Sequence, residues 1–353
     1  MTRGCFVKKP LAASIPFMTE INPAMAPLLH RLPFLVTPAK GADGAPLEFM
    51  PTGEGHLFDW LSETATDVMS VLDQVGAILF RGFPDGGDLG FDRCIEALDL
   101  KPFTYAESLS NAVRKNRSPR VFTANEAPPE LEIFLHHEMA QTPRFPRYLF
   151  FYCERAAVTG GATPLCRSDR LMAHLQRQLP DFIKLCRELG VSYTHTMPAE
   201  ADSGSGQGRS WLDTLSVNSR AAAEAKLQQL GYTWVWLAGD DLRVTTRALP
   251  AIRQTSTGTE VFFNQLVAAF AGWQDPRNSS ASSVCFGDGS AMPAPALKQM
   301  VAIAYQQVYD HLWQAGDVIL IDNLRVMHGR RPFSGARTVL AGLAGPQSHS
   351  LSG

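Results

Sequence analysis

Two histidines and a glutamate carry the most chemistry in this chain. The triplet His136-His137-Glu138 sets an imidazole and a carboxylate two positions apart, and another imidazole, His328, follows far downstream in the run Asp322-Asn323-Leu324-Arg325-Val326-Met327-His328-Gly329-Arg330-Arg331-Pro332-Phe333. At a strand end, residues i and i+2 point to the same side. Two imidazoles and one carboxylate on one face of a metal leave the opposite positions open, as non-haem Fe(II) sites do to take a cosubstrate and dioxygen. On this reading His136, Glu138 and His328 are the metal ligands and the catalytic centre. His137 alternates to the other side, which leaves it a supporting or substrate-facing role. Read alone, the triplet is weak, since a buried histidine is commonly just hydrogen-bonded within a core.

Further residues add to the pattern. Gly160-Gly161-Ala162-Thr163-Pro164 follows the triplet, and Arg337 follows His328. A 2-oxo acid chelating Fe(II) at one end needs its distant carboxylate neutralised, and the planar fork of Arg337 suits it, with the Thr163 hydroxyl as a second donor. The plain alternative is a glycine turn beside a solvated strand arginine. For substrate, Arg325 and Arg330 offer charges to a carboxylate, Asn264 an amide and Trp211 a closing ring. Each has an equally ordinary use in loop bonding or packing.

Elements must hold these groups in place. Residues 1–55, rich in proline and alanine, read as an extended N-terminal arm. The apolar spacing predicts a helix over 57–74, a buried strand over 76–83 and a helix over 91–98. An aromatic strand follows at 148–153. Ser168 caps a helix, Pro180 opens a second one ending at Gly190, and another covers 219–230. The Gly/Ser-rich stretch 203–210 reads as a lid loop. Segments 232–237 and 242–246 alternate as paired strands, 261–263 reads as a strand, and 294–313 as one long helix. Strands at 317–321 and 338–343 flank His328. Strands without regular strand-helix alternation predict an α+β chain with a mainly β, jelly-roll core. One domain over 56–353 is expected, with helical insertions at about 168–230 and 290–315.

Lysine and arginine number 32 against 34 acidic residues, a net charge of −2 that gives no basis for gripping nucleic acid or an anionic membrane. A small molecule is the expected partner. The six cysteines (5, 94, 153, 166, 186 and 285) are scattered, as reduced cytoplasmic thiols are. Arg3, Lys8 and Lys9 precede an apolar stretch broken by Pro10 and Pro16, so no cleaved leader or membrane span is expected.

Taken together, the stretches Gly76 to Phe83, Ser118-Pro119-Arg120, Leu135 to Met139 with Leu149 to Cys153, Gly160 to Pro164, Gly208 to Trp211, Val261 to Gln265 and His328 to Leu340 resemble the taurine dioxygenase and clavaminate synthase-like family. These are Fe(II)- and 2-oxoglutarate-dependent oxygenases, and the chain is most similar to their branch of syringomycin-type amino-acid hydroxylases. The resemblance implies a double-stranded β-helix, His136, Glu138 and His328 as iron ligands, and Thr163 and Arg337 as 2-oxoglutarate contacts. Two departures, His137 where asparagine is frequent and Gln141 where an aromatic is expected, bear on substrate identity.

The family couples decarboxylation of 2-oxoglutarate by O2, yielding succinate and CO2, to oxidation of an unactivated C–H bond. Its halogenases lack the carboxylate ligand, so Glu138 implies oxygen transfer. The leading expectation is hydroxylation of an amino acid in secondary metabolism, free or tethered to a peptidyl carrier protein. The competing readings are a catabolic oxygenase of a sulfonate-like anion, a desaturase, cyclase or epoxidase outcome, and a non-catalytic jelly-roll binding protein.

Overall fold

A computed structural model describes residues 25–38, 44–103, 109, 114–124, 127–202, 208–272, 277–278 and 283–349. Two antiparallel-rich sheets position the site. The larger has seven strands in the order Phe34–Pro38, Leu47–Pro51, Ala77–Phe80, Val318–Asp322, Arg144–Arg155, Thr338–Ser348 and Val121–Thr123. The smaller has four, in the order Val308–His311, Thr163–Arg167, Val326–Arg330 and Ile133–His136.

Alternation explains why these segments are strands. Phe151, Cys153, Ile319, Ile321, Val339 and Ala341 from the larger sheet share one buried cluster with Leu165 and Val326 from the smaller. Phe150, Tyr152, Leu320 and Leu340, one position away, turn to the opposite face. There they pack under the helix Leu57–Val75, whose Leu57, Leu61, Val68, Val71 and Leu72 form a helical stripe. Gly76 ends that helix in a left-handed conformation (φ 80°), and a Cβ there would lie 2.8 Å from the Val326 side chain, so no other residue fits without a shift. The outer face of the smaller sheet, through Leu135, Cys166 and Met327, is covered by the helices Ser168–Gln178, Pro180–Leu189 and Ala294–Gln306.

Several expectations need correction. Residues 25–38 and 44–51 form regular elements rather than an extended arm. A helix over Ala26–Arg31 precedes a hairpin, Phe34–Pro38 with Leu47–Pro51, that joins the larger sheet beside Ala77–Phe80. Phe34 and Phe49 pack there against Trp60, Phe80 and Phe83, a gain that local periodicity does not display. The insertion expected over 168–230 is not purely helical, because Val191–Met197 inside it pairs with Leu242–Thr245 of the expected strand pair and with Val284–Phe286, completing a four-stranded sheet with Thr233–Trp236. The helix expected over 294–313 stops at Gln306, and Val308–His311 pairs with Thr163–Arg167 instead. Apolar spacing runs through both pieces, so period alone misses the break. Part of the expected lid, residues 203–207, and residues 1–24 lie outside the described residues.

Among the described residues, no helix is long and apolar enough to cross a membrane. The five described cysteines are free thiols.

The last described residue, His349, is 2% exposed and locks the final strand to the turn that carries Glu138. Its Nδ1 lies 2.9 Å from Arg253 Nη1 and its Nε2 3.1 Å from the Ala140 carbonyl. Arginine can only donate, so His349 accepts at Nδ1 and donates from Nε2, which requires the neutral ring. Burial and then Arg253 push its pKa from the ordinary 6.5 down to about 4. The unfolded chain takes this proton near 6.5 and the folded chain does not. The stability contribution is therefore complete above pH 6.5 and is lost as pH falls toward 4. Between pH 7 and 5 this histidine is expected to cost about 2 kcal/mol. His349→Gln keeps an acceptor and a donor, so urea unfolding at the two pH values should differ by about that much less than in the parent chain.

Candidate metal and cosubstrate site

Antiparallel pairing brings the distant histidines together. His328 is the register partner of His136, and partners across a ladder project to the same face. Their ring centroids stand 4.3 Å apart. The strand is irregular here, its register shifting between His328 and Arg330. Gly329 permits the close approach, because a Cβ on it would lie 2.4 Å from the Ile133 carbonyl oxygen. Phe151 of the opposite sheet packs on His328 at 5.1 Å.

The third donor comes from the turn after the Ile133–His136 strand. Glu138 Oε2 lies 3.9 Å from His136 Nε2 and 3.7 Å from His328 Nε2. One donor atom from each of the three residues falls within 4.8 Å of the others. Met139, directly after Glu138, has φ 58°, a left-handed conformation that a side chain rarely adopts and that reverses the chain here. Asn323 holds this turn. Its Oδ1 accepts from the Glu138 N–H at 2.8 Å, while its Nδ2 donates to the carbonyls of Glu138 and Pro146 at 3.0 and 2.8 Å. One amide thus ties the carboxylate turn to the hairpin leading into His328. Asn323→Ala leaves a buried N–H and two carbonyls without that partner. The expected cost is about 2 kcal/mol of stability, read by urea unfolding, with weaker Mn(II) binding read by electron paramagnetic resonance.

The donor set fits a divalent ion. The His136 Nδ1 lies 2.8 Å from the Phe134 carbonyl, which fixes the proton there and leaves the Nε2 lone pair toward Glu138 and His328. Burial lowers the His136 pKa against the pull of Glu138, and burial with His136 and Arg114 nearby holds His328 well below the ordinary value. Both rings are therefore neutral, as ligation requires. Arg114, which nothing in its local sequence marks, donates from Nη2 to both Glu138 oxygens at 3.0 and 3.1 Å. It gives the buried carboxylate a counter-charge and lies 5.2 Å from the Phe122 ring centroid.

The smaller sheet also carries Thr163. Leu165 is the register partner of His328, so Thr163, two residues earlier, projects from the same face. Its hydroxyl is buried and accepts from Trp313 Nε1 at 2.9 Å. Arg337 reaches beside it: Nε donates to the Gly161 carbonyl at 3.2 Å, and a Cβ on Gly161 would press to 3.1 Å of the arginine chain. Gly161 is also left-handed, with φ 71°. Burial, with Arg330 nearby, pushes the Arg337 guanidinium down to about 10. Among the described residues no carboxylate pairs with it.

The five substrate candidates have other employment. His137, fully buried, bonds the Asn323 carbonyl through Nδ1 and faces the Phe262 carbonyl and Ser168 Oγ with Nε2, at 3.1 and 2.7 Å. Asn264 donates to the Ala251 carbonyl and accepts from the Leu266 N–H, opening the helix Leu266–Gly272. Arg325 bonds Thr255 and Thr257 and lies near Asp322 and Asp169. Arg330 clamps the carbonyls of Ala127, Pro128 and Leu131. Trp211 is buried against Trp236 and donates to the Asp240 carbonyl. Each of these five side chains is bonded within the protein in this structure. Gln141 differs, since its Oε1 is buried with no hydrogen-bond partner among the described residues.

Two neutral imidazoles and a carboxylate converging between sheets match the donor set of a 2-His-1-carboxylate centre of the non-haem iron class. The chain belongs to the taurine catabolism dioxygenase TauD, TfdA family, whose model matches residues 37–343. It is an Fe(II)- and 2-oxoglutarate-dependent dioxygenase. Clavaminate synthase-like protein At3g21360 of Arabidopsis thaliana is 38% identical over 275 residues, covering 78% of this chain and 83% of the relative. Dapdiamide synthesis protein DdaC of Enterobacter agglomerans is 26% identical over 322 residues, or 87% of this chain and 92% of DdaC. The fold is shared with PvcB of Pseudomonas aeruginosa (TM-score 0.52, 16% identity, 88% of this chain and 91% of PvcB). It is shared also with AAD-2 in complex with Mn(II) and N-oxalylglycine (TM-score 0.55, 12% identity, 89% and 99%).

Proposed function

We propose that this dioxygenase hydroxylates an unactivated C–H bond of an amino acid, free or tethered to a peptidyl carrier protein, in a biosynthetic pathway. The observation that carries the reading is Glu138: a carboxylate faces both imidazoles, leaving no vacant ligand position there for a halide. DdaC is a dapdiamide synthesis protein, and PvcB is described as an Fe, alpha-ketoglutarate dependent oxygenase from an isonitrile synthetic pathway. Both support amino-acid-derived chemistry over sulfonate breakdown.

In this reading the dioxygenase domain begins with the strand Phe34–Pro38 rather than at residue 56, the two facing sheets being the halves of a double-stranded β-helix. His136, Glu138 and His328 hold the iron, and Thr163 and Arg337 take the far carboxylate of 2-oxoglutarate. Bound iron and 2-oxoglutarate supply the oxidation of the C–H bond, with release of succinate and CO2. The chain's own contribution is position and dryness. Asn323 and the left-handed Met139 aim Glu138, the Phe134 carbonyl sets the His136 tautomer, and Phe151 shields His328 from water. Gln141, near the ligand turn with an unspent carbonyl oxygen, is proposed to face the substrate and accept from its amino group.

Succinate release is measured with amino acids, carrier-bound amino acids and small sulfonates. Stimulation by members of the first two sets, with a product 16 mass units heavier, supports the proposal. Stimulation by sulfonates alone overturns it.

A further inference from the structure

Trp313 has the features of a cosubstrate-positioning residue, although it does not belong to the ligand set. It follows the strand Val308–His311, in which His311 is the register partner of Thr163. The indole stands edge-on to His311 at 4.6 Å and donates its N–H to Thr163 Oγ1 at 2.9 Å. The base of this arrangement is anchored. Asp317, buried, accepts from Arg81 at 2.8 and 2.6 Å and from the Gln314 N–H at 2.8 Å, and it lies 3.4 Å from His311 Nε2.

The polarity of the indole bond matters. An indole N–H can only donate, so Thr163 must accept from it, and a hydroxyl has a single proton to give. No acceptor among the described residues takes that proton. We propose that Trp313 orients Thr163 as a donor, committing the hydroxyl proton to the far carboxylate of 2-oxoglutarate beside Arg337. This rests on Thr163 and Arg337 being the cosubstrate pair. Without the indole, the hydroxyl is free to rotate its proton elsewhere and the pre-set donor is lost.

The test uses full-length enzyme loaded anaerobically with Fe(II), following the visible band that forms with 2-oxoglutarate. Trp313→Phe keeps a ring and removes the N–H. Its 2-oxoglutarate affinity is expected to fall on the order of tenfold, the scale of one hydrogen bond to a charged group. Oxalate chelates iron without reaching Thr163, so its affinity, from competition, should be unchanged. In the double variant with Thr163→Val, affinity should be no weaker than in Thr163→Val alone, because the indole acts only through the hydroxyl.

Unchanged 2-oxoglutarate affinity in Trp313→Phe, an equal loss for oxalate, or additive effects in the double variant each overturn the inference. If Thr163→Val and Arg337→Ala both bind 2-oxoglutarate like the parent, the cosubstrate pair itself is wrong, a separate result. Should the phenylalanine chain fail to fold, benzothienylalanine at position 313 replaces N–H by sulfur in the same shape, and the same outcomes apply.

Discussion

His328→Ala is expected to abolish iron-dependent succinate formation. Losing a residue that merely supports a ligand costs roughly 10- to 100-fold in metal affinity or activity, and on the proposed assignment His328 is itself one of three donors, so its removal must exceed that range. The fold should survive. The His328 Nδ1 is buried with no hydrogen-bond partner among the described residues, so the side chain contributes packing against Phe151 and His136 and little else to the metal-free chain. Circular dichroism should therefore match the parent. The visible band of the anaerobic Fe(II) and 2-oxoglutarate complex should vanish, as it should in His136→Ala. A band of full strength in either variant removes the ligand assignment.

Arg337→Ala should raise the 2-oxoglutarate requirement roughly a hundredfold, the scale of truncating one partner of a buried charge pair, while leaving metal affinity intact. The guanidinium is half-buried over the Phe333 ring, donates to the Gly161 carbonyl, and pairs with no carboxylate among the described residues. A cation kept in that state is short of an anion, and the far carboxylate of the cosubstrate is the matching charge. Succinate formation titrated against 2-oxoglutarate gives one half of the comparison and Mn(II) binding the other. Equal cosubstrate affinity in the variant removes Arg337 from the site.

The grouping of His136, Glu138 and His328 was legible because ligation restricts residue type: few side chains bind iron, and the structure brings these three within 4.8 Å of one another. What aims those ligands was not. Arg114 stands in an irregular segment with no period to betray it. Asn323 lies in plain view beside the second histidine, yet its role is defined by backbone groups of Glu138 and Pro146, and backbone groups carry no sequence signal. Substrate contacts are hard to read from sequence for a related reason. Arg325, Arg330 and Asn264 offer donors that suit a substrate, and the same donors serve equally well on loop hydroxyls and carbonyls. Long elements such as Leu57–Val75 were legible from their stripe, whereas the break at Gln306 and the strands Phe34–Pro38 and Leu47–Pro51 depend on Thr163–Arg167 and Ala77–Phe80, which lie further along the chain.

The His136–His328 ladder partnership makes the iron site a gauge of strand alignment. A slip of one residue between Ile133–His136 and Val326–Arg330 swings every side chain of the slipped segment to the far face, so one imidazole would leave the cavity and the divalent ion would lose a donor. Bound metal consequently selects the correctly zipped hairpin over its misaligned competitors. Refolding in the presence of Mn(II) should give a higher yield of active chains than adding the ion afterwards.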